Sequence, residues 1–136
     1  METIKKSYLI NSDIDSVWDC LTNPEQMNKW GAQPSNFDLK VGGDFNMWGD
    51  YLTGRVTDFA NNEVLEEDWT VDGMSEPSKV RFELAKEGDT TTVKLVHSNV
   101  PDGQRQELDY GWDEYYLGQI RDYLESKDQS HTLFKR

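Results

Sequence analysis

Residues 64–97 read VLEEDWTVDGMSEPSKVRFELAKEGDTTTVKLVH, and this stretch decides the fold. Apolar and polar residues alternate through Val64–Val71, Ser78–Lys86 and Thr90–His97, which is the pattern of half-buried strands. Both breaks between them contain Gly beside Asp, a composition typical of short hairpin connections. Because strands joined in this way run antiparallel, the stretch predicts three antiparallel strands with one apolar face.

Three further strands are predicted before this stretch. Residues Thr3–Ile10, Asp44–Gly49 and Gly54–Phe59 carry a strand pattern as well. Gly42-Gly43 marks a turn or bulge before the second of them. Strands with such short connections extend the same antiparallel sheet.

Two short helices are predicted after the first strand. Ser12 fits the N-cap of the first helix, and the apolar residues behind it recur at helical spacing: Ile14, Val17, Trp18 and Leu21. Asn23-Pro24 then restarts the chain, since Pro24 suits a first helical turn. This second helix is expected to end near Trp30-Gly31.

A long helix is predicted after the strands, from about Asp109 to Ser126. Its apolar residues share one side: Trp112, Tyr116, Ile120 and Tyr123. A twisted antiparallel sheet with this helix across it makes a two-layer α+β fold. Residues 1–127 are expected to form one domain, and 128–136 a flexible C-terminal tail.

The net charge of −12 excludes several classes of function. Nucleic-acid binding needs Lys and Arg to neutralise phosphates, and an anionic membrane surface repels an acidic protein. No apolar run approaches the roughly 20 residues of a spanning helix. The single Cys20 fits a reducing compartment, so a cytoplasmic location is expected.

The strand alternation predicts which side chains face the long helix. The inward set combines rings and aliphatic residues with two polar ones: Phe45, Met47, Leu65, Glu67, Trp69, Val71, Val80, Phe82, Leu84, Val93, Leu95 and His97. The chain has five Trp and six Tyr. A core of rings around few aliphatic residues is hard to fill without gaps, which hints at a cavity.

Glu67 is the most informative position in this pattern. A carboxylate on the inward face is either an anchor for a ligand or a general acid or base whose pKa is raised by desolvation. The alternatives are a structural hydrogen bond or a bulge that turns Glu67 to solvent.

His97 ends its strand on the same face. It titrates near neutral pH and is a candidate to act on a ligand, while a hydrogen bond to a nearby carbonyl is the structural alternative. If their strands bring Glu67 and His97 close, the two would form an acid/base pair. These two residues are the only catalytic candidates in the sequence.

The sequence lacks the residue patterns that several other kinds of catalytic or metal site require. With two His in the chain, a His-rich zinc site is not expected. There is no Gly-x-Ser-x-Gly elbow and no Gly-rich phosphate loop opening a helix. The acidic run 66–68 alternates between strand faces, so it does not converge on one ion. We therefore expect no metal and no cofactor.

The order of these motifs resembles the START-like superfamily, which includes the birch-pollen allergen and polyketide cyclases, and within it the family named for the activator of the Hsp90 ATPase. The matching pieces span about residues 3–127: residues 10–18, 21–24, Trp30, 41–45, 54–56, Leu65 with Trp69, 91–97 and Gly111-Trp112. The resemblance implies a helix-grip fold, in which a curved sheet grips the C-terminal helix around an apolar cavity. It does not specify a ligand.

The expected function is binding of a small, mostly hydrophobic molecule between the sheet and the C-terminal helix. The residues expected to contact it are Phe45, Met47, Glu67, Trp69, Phe82, Leu95, His97, Trp112, Tyr116 and Ile120. Trp30, Trp48, Tyr115 and Tyr123 are further candidate rings for the pocket wall. One alternative is a cyclase- or hydrolase-like enzyme that uses Glu67 and His97. The other is a co-chaperone-like module, with a chaperone or a second copy (a homodimer) as partner.

Overall fold

The structure is a computed structural model that describes residues 1–134, with side chains for residues 1–126. A nine-residue strand leads into two short helices, six more strands and a long final helical segment. The elements are β1 (Glu2–Ile10), α1 (Ile14–Thr22), α2 (Pro24–Trp30), β2 (Asn36–Phe37), β3 (Asp44–Met47), β4 (Leu52–Ala60), β5 (Val64–Val71), β6 (Ser78–Glu87), β7 (Thr90–Val100), α3 (Arg105–Gly111), a π-helical turn (Trp112–Tyr116) and α4 (Leu117–Phe134).

The seven strands form one sheet in the order β1-β7-β6-β5-β4-β3-β2, and every neighbouring pair is antiparallel. The predicted α+β class and helix-grip architecture are confirmed. The sequence did not reveal β2, because a two-residue strand has no periodicity. Its Phe37 stacks on Phe45 of β3, with ring centroids 5.2 Å apart.

The first helix begins one residue later than predicted. Asp13, not Ser12, is the N-cap: its carboxylate accepts hydrogen bonds from the Ser16 backbone N–H and from the Ser16 hydroxyl. The Ser12 carbonyl instead accepts a bond from Thr91 on β7. The second helix starts as predicted, with Asn23 as its cap and Pro24 in its first turn.

The final helical segment starts at Arg105, four residues before the predicted Asp109. It is fixed to the sheet by charge: Lys6 of β1 binds the carboxylates of Asp109 and Asp113, the latter at 2.8 Å, and the Tyr8 hydroxyl donates to Asp113. These contacts hold the α3 end of the segment over β1.

The final helical segment ends later than predicted. The α4 helix extends to Phe134, whereas the prediction ended the helix near Ser126. Side chains from residue 127 onward, and residues 135–136 altogether, lie outside the described part of the chain. The flexibility expected for 128–136 therefore stays a prediction.

Candidate functional site

Alternation along β5, β6 and β7 places the inward set as predicted. Both polar members are buried: Glu67 is 1% exposed and His97 is 0% exposed. The structural alternative of a bulge turning Glu67 to solvent does not occur. An irregularity in the register does lie nearby, between Val56 and Asp58 of the neighbouring β4, but Glu67 keeps its inward position.

The inner face of the sheet meets the final helix through a cluster of rings. Trp69 and Trp112 stack with centroids 5.0 Å apart and planes 15° apart. Tyr116 lies 4.7 Å from Trp112, and Phe82 meets Trp112 edge-on at 5.7 Å. These offset and edge contacts are the arrangements that aromatic pairs prefer, so the cluster is well packed.

The π-helical turn positions two of these rings. Trp112 and Tyr116 open and close the turn, and both are buried against the sheet. Such turns insert one extra residue into a helix and are often found at functional sites. Gly118 permits it here, because a Cβ at this position would lie 1.7 Å from the Asp113 carbonyl oxygen.

His97 is held by hydrogen bonds at both ring nitrogens. The Trp112 indole N–H donates to Nδ1 at 3.1 Å, so Nδ1 carries no proton. Nε2 therefore carries the hydrogen of the neutral ring and donates to the Ser78 hydroxyl at 2.8 Å, which donates in turn to the Trp69 carbonyl. Burial lowers the pKa of His97 from 6.5 to about 4, which keeps the ring neutral at pH 7.

Glu67 differs from His97 because its carboxyl has no hydrogen-bond partner among the described residues. Desolvation raises the pKa of Glu67 from its usual 4.5 to about 8, so the group is mostly protonated at neutral pH. Two nearby polar atoms, the Tyr116 hydroxyl and Trp69 Nε1, are also buried without a hydrogen-bond partner in the described part of the chain. Burial, with the charge of Glu67, raises the pKa of Tyr116 well above 10.

The sheet register separates the two catalytic candidates. Val80 of β6 pairs with Glu67 on one side and with His97 on the other, so a whole strand lies between them. At a strand spacing of about 4.8 Å, their backbones are about 10 Å apart. The fold thus places Glu67 and His97 on the same face of the sheet, in one row across the strands, but not next to each other.

An open pocket of about 750 Å³ lies beside the ring cluster, between the final helical segment, the β3–β4 connection and the end of β5. Its aromatic walls are Trp48, Tyr51, Trp69, Tyr110, Trp112, Tyr115 and Tyr116. Its other lining residues are Val71, Asp72, Gly73, Gln104, Glu107, Leu108 and Gly111. The volume is in the usual range for sites that take small molecules.

Three of the ten predicted contact residues line this pocket: Trp69, Trp112 and Tyr116. The other seven do not: Phe45, Met47, Phe82, Leu95 and Ile120 pack in the core, Glu67 is buried next to Trp69 on β5, and His97 is bonded as described. Trp48, one of the further candidate rings, is partly buried, lines the pocket and donates from Nε1 to the Gly31 carbonyl at 2.9 Å.

Sequence reasoning missed the mouth of the pocket. Tyr51, Tyr110 and Tyr115 line it and are 53%, 58% and 59% exposed. We call these three residues the tyrosine rim. Tyr115 was among the further candidate rings, whereas Tyr51 and Tyr110 were not. The signal that the sequence offered for these residues was a large ring close to the end of a predicted element, and only the structure shows that the rings are exposed.

Two general features of the described residues complete the site. Within residues 1–126, no group of three or more His, Cys, Asp or Glu side chains is arranged to hold a metal ion. No helix in the described part of the chain is both long enough and apolar enough to cross a membrane.

Comparisons with known proteins place the chain. Residues 11–125 match the family model described as activator of Hsp90 ATPase homolog 1-like protein. An uncharacterized protein of Schizosaccharomyces pombe is 17% identical over 120 residues, which is 87% of this chain and 36% of that protein. The chain thus spans about a third of the length of this curated relative.

Two solved structures share the fold. An Hsp90 activator from Plasmodium falciparum is 20% identical, with a TM-score of 0.81 over 88% of this chain and 94% of its own. The Aha1 dimer from Colwellia psychrerythraea is 19% identical, with a TM-score of 0.79 over 92% and 97%. At these identities the likeness concerns the fold alone. With most of its length matched by the family model, the chain belongs to the activator of Hsp90 ATPase homolog 1-like family.

Proposed function

We propose that the protein binds a small, mostly apolar, ring-bearing molecule in the pocket beside the final helix. The observation that carries this proposal is the combination of a 750 Å³ volume, seven aromatic walls and the exposed tyrosine rim. Concave sites lined mainly by rings with a few polar groups are the usual form of small-molecule sites. Exposed tyrosines gathered at one opening favour binding over a purely structural role, because a folded chain gains little from rings left in water.

Gly111 offers a direct test of the location. It lines the pocket with helical backbone angles, and a Cβ built there meets nothing within 4 Å. We expect Gly111→Leu to fill part of the pocket and weaken binding of a neutral probe such as naphthylmethanol at least tenfold, by calorimetric titration. The variant should keep the wild-type fold, because leucine also favours a helix over glycine.

The matched control is Gln106→Leu, which places the same side chain at an exposed position of α3 outside the pocket lining and should bind as the wild type does; unfolding of each variant is measured beside binding. A second control, Leu9→Ala, alters an exposed apolar residue of β1 outside the pocket and should bind as the wild type does. Undiminished binding in a folded Gly111→Leu variant would contradict this location.

The enzyme alternative is favoured by one feature, the buried carboxyl of Glu67 that stays protonated near neutral pH. A general acid needs that property. Two observations argue against an acid/base pair of Glu67 and His97. Both ring nitrogens of His97 form hydrogen bonds, and a whole strand separates His97 from Glu67. The co-chaperone alternative draws on the family name and on the fold shared with the Hsp90 activator from Plasmodium falciparum, and the test for it is chaperone capture at low salt.

A further inference from the structure

The charged residues of the pocket all have one sign. Asp72 and Glu107 line it, and no Lys, Arg or His is among its lining residues within the described chain. Neither carboxylate forms an ion pair with any described residue. Asp109 and Asp113, on the same helical segment, are instead bound by Lys6. The pocket therefore keeps two carboxylates without a cation.

The rings at the mouth suit a cation as well. Tyr110 and Tyr115 meet edge-on with centroids 6.2 Å apart, and both are more than half exposed. With Tyr51 they line the same pocket as the two carboxylates. Aromatic side chains gathered around a binding site attract ammonium groups through the ring quadrupole, and this is how proteins recognise quaternary ammonium ligands.

We propose that the pocket selects organic cations, meaning apolar or ring-bearing molecules that carry an ammonium group, over neutral and carboxylate ligands of the same size. This inference rests on the proposed function, because it names the ligand class of the same site. An acid such as a fatty acid would have to approach Asp72 and Glu107 in a protein of net charge −12, with no basic lining residue to receive its carboxylate. An ammonium group is attracted both by the two carboxylates and by the rings of the tyrosine rim.

Three probes that share a naphthylmethyl group and differ in their polar head test the charge preference: naphthylmethyl-trimethylammonium, naphthylmethanol and naphthylacetate. Calorimetric titrations at low salt are expected to give an affinity for the cation at least tenfold above that of the neutral probe, with the carboxylate weakest. Because both carboxylates are exposed, added salt should reduce the preference for the cation.

A double variant assigns the preference to the pocket. Asp72→Asn/Glu107→Gln should lower the ratio of cation affinity to naphthylmethanol affinity at least fivefold. Glu87→Gln/Asp89→Asn removes the same two charges at the β6–β7 hairpin, away from the pocket lining, and should leave cation affinity within twofold of wild type.

The outcomes separate this inference from the proposed function. Equal binding of the cation and the neutral probe, or tighter binding of the carboxylate, overturns the charge preference while the proposed function stands. Equal loss of cation affinity in both double variants also overturns it, because net charge rather than the pocket would then be responsible. Binding of none of the three probes overturns the proposed function and the inference together.

Discussion

Replacing Glu67 by Gln should stabilise the protein by an amount that grows with pH, from under about 1 kcal/mol at pH 5 to about 4 kcal/mol at pH 8. The pKa of Glu67 is about 8 in the folded protein and near 4.5 when the chain is unfolded. Between these values the unfolded chain releases a proton that the folded protein keeps. Rising pH therefore favours unfolding by about 1.4 kcal/mol per unit, and Gln removes this dependence.

Urea unfolding at pH 5, 6, 7 and 8 measures the effect. The control is Glu87→Gln, which makes the same substitution at an exposed carboxylate at the end of β6. A Glu67→Gln variant whose advantage is the same at pH 5 and pH 8 would contradict the account of a buried, unpaired carboxyl.

His97 shapes the wild-type profile on the acidic side. Its pKa falls from 6.5 to about 4 on folding, so the unfolded chain binds the extra proton and stability is lost as pH drops from 6.5 towards 4. Between about 4.5 and 6.5 this slope opposes that of Glu67, while above 6.5 Glu67 acts alone. The difference between the wild type and Glu67→Gln isolates Glu67, because His97 is present in both.

Gly118→Ala should destabilise the protein by about 3 kcal/mol, the upper part of the range for an overpacked interior. The new Cβ would lie 1.7 Å from the Asp113 carbonyl oxygen and 2.7 Å from its carbon, so backbone has to move. Restoring a regular α-helical turn would relieve the clash but rotate Trp112 away from His97. The loss is therefore expected in unfolding free energy and in the near-UV circular dichroism of the rings.

Gly111→Ala is the matched control on the same helical segment. Its Cβ meets nothing within 4 Å, and alanine favours a helix over glycine, so a gain of about 0.5–1 kcal/mol is expected. A Gly118→Ala variant as stable as Gly111→Ala would show that the π-helical turn does not depend on glycine.

The inner face of the sheet was predictable because a strand alternates with a period of two. That rule alone places Glu67 and His97 inside, and it remains valid whatever the strand register is. The partners of these residues depend on register and helix position, which the pattern does not contain. Ser78 and Trp112 as the partners of His97, and the whole strand between His97 and Glu67, appear only in three dimensions.

The pocket was less predictable than the core for two physical reasons. Its helical wall begins at Arg105 in a polar stretch without helical periodicity, so Glu107 and Leu108 were not placed on a helix. Trp48 adopts a positive φ of 52°, which breaks strand alternation and turns its ring towards Trp30 and Tyr116. Neither feature leaves a periodic trace in the sequence.

The central claim is that the pocket binds a small apolar molecule, and indole N–H signals in NMR spectra of the labelled protein test it most directly. Trp48, Trp69 and Trp112 line the pocket, whereas Trp18 does not and serves as the internal control. During titration with fatty acids, flavonoid-like aromatics, isoprenoids and their amine derivatives, we predict shifts at those three indoles and none at Trp18. Unshifted signals at millimolar concentrations of every compound, or shifts at Trp18 alone, would contradict the claim.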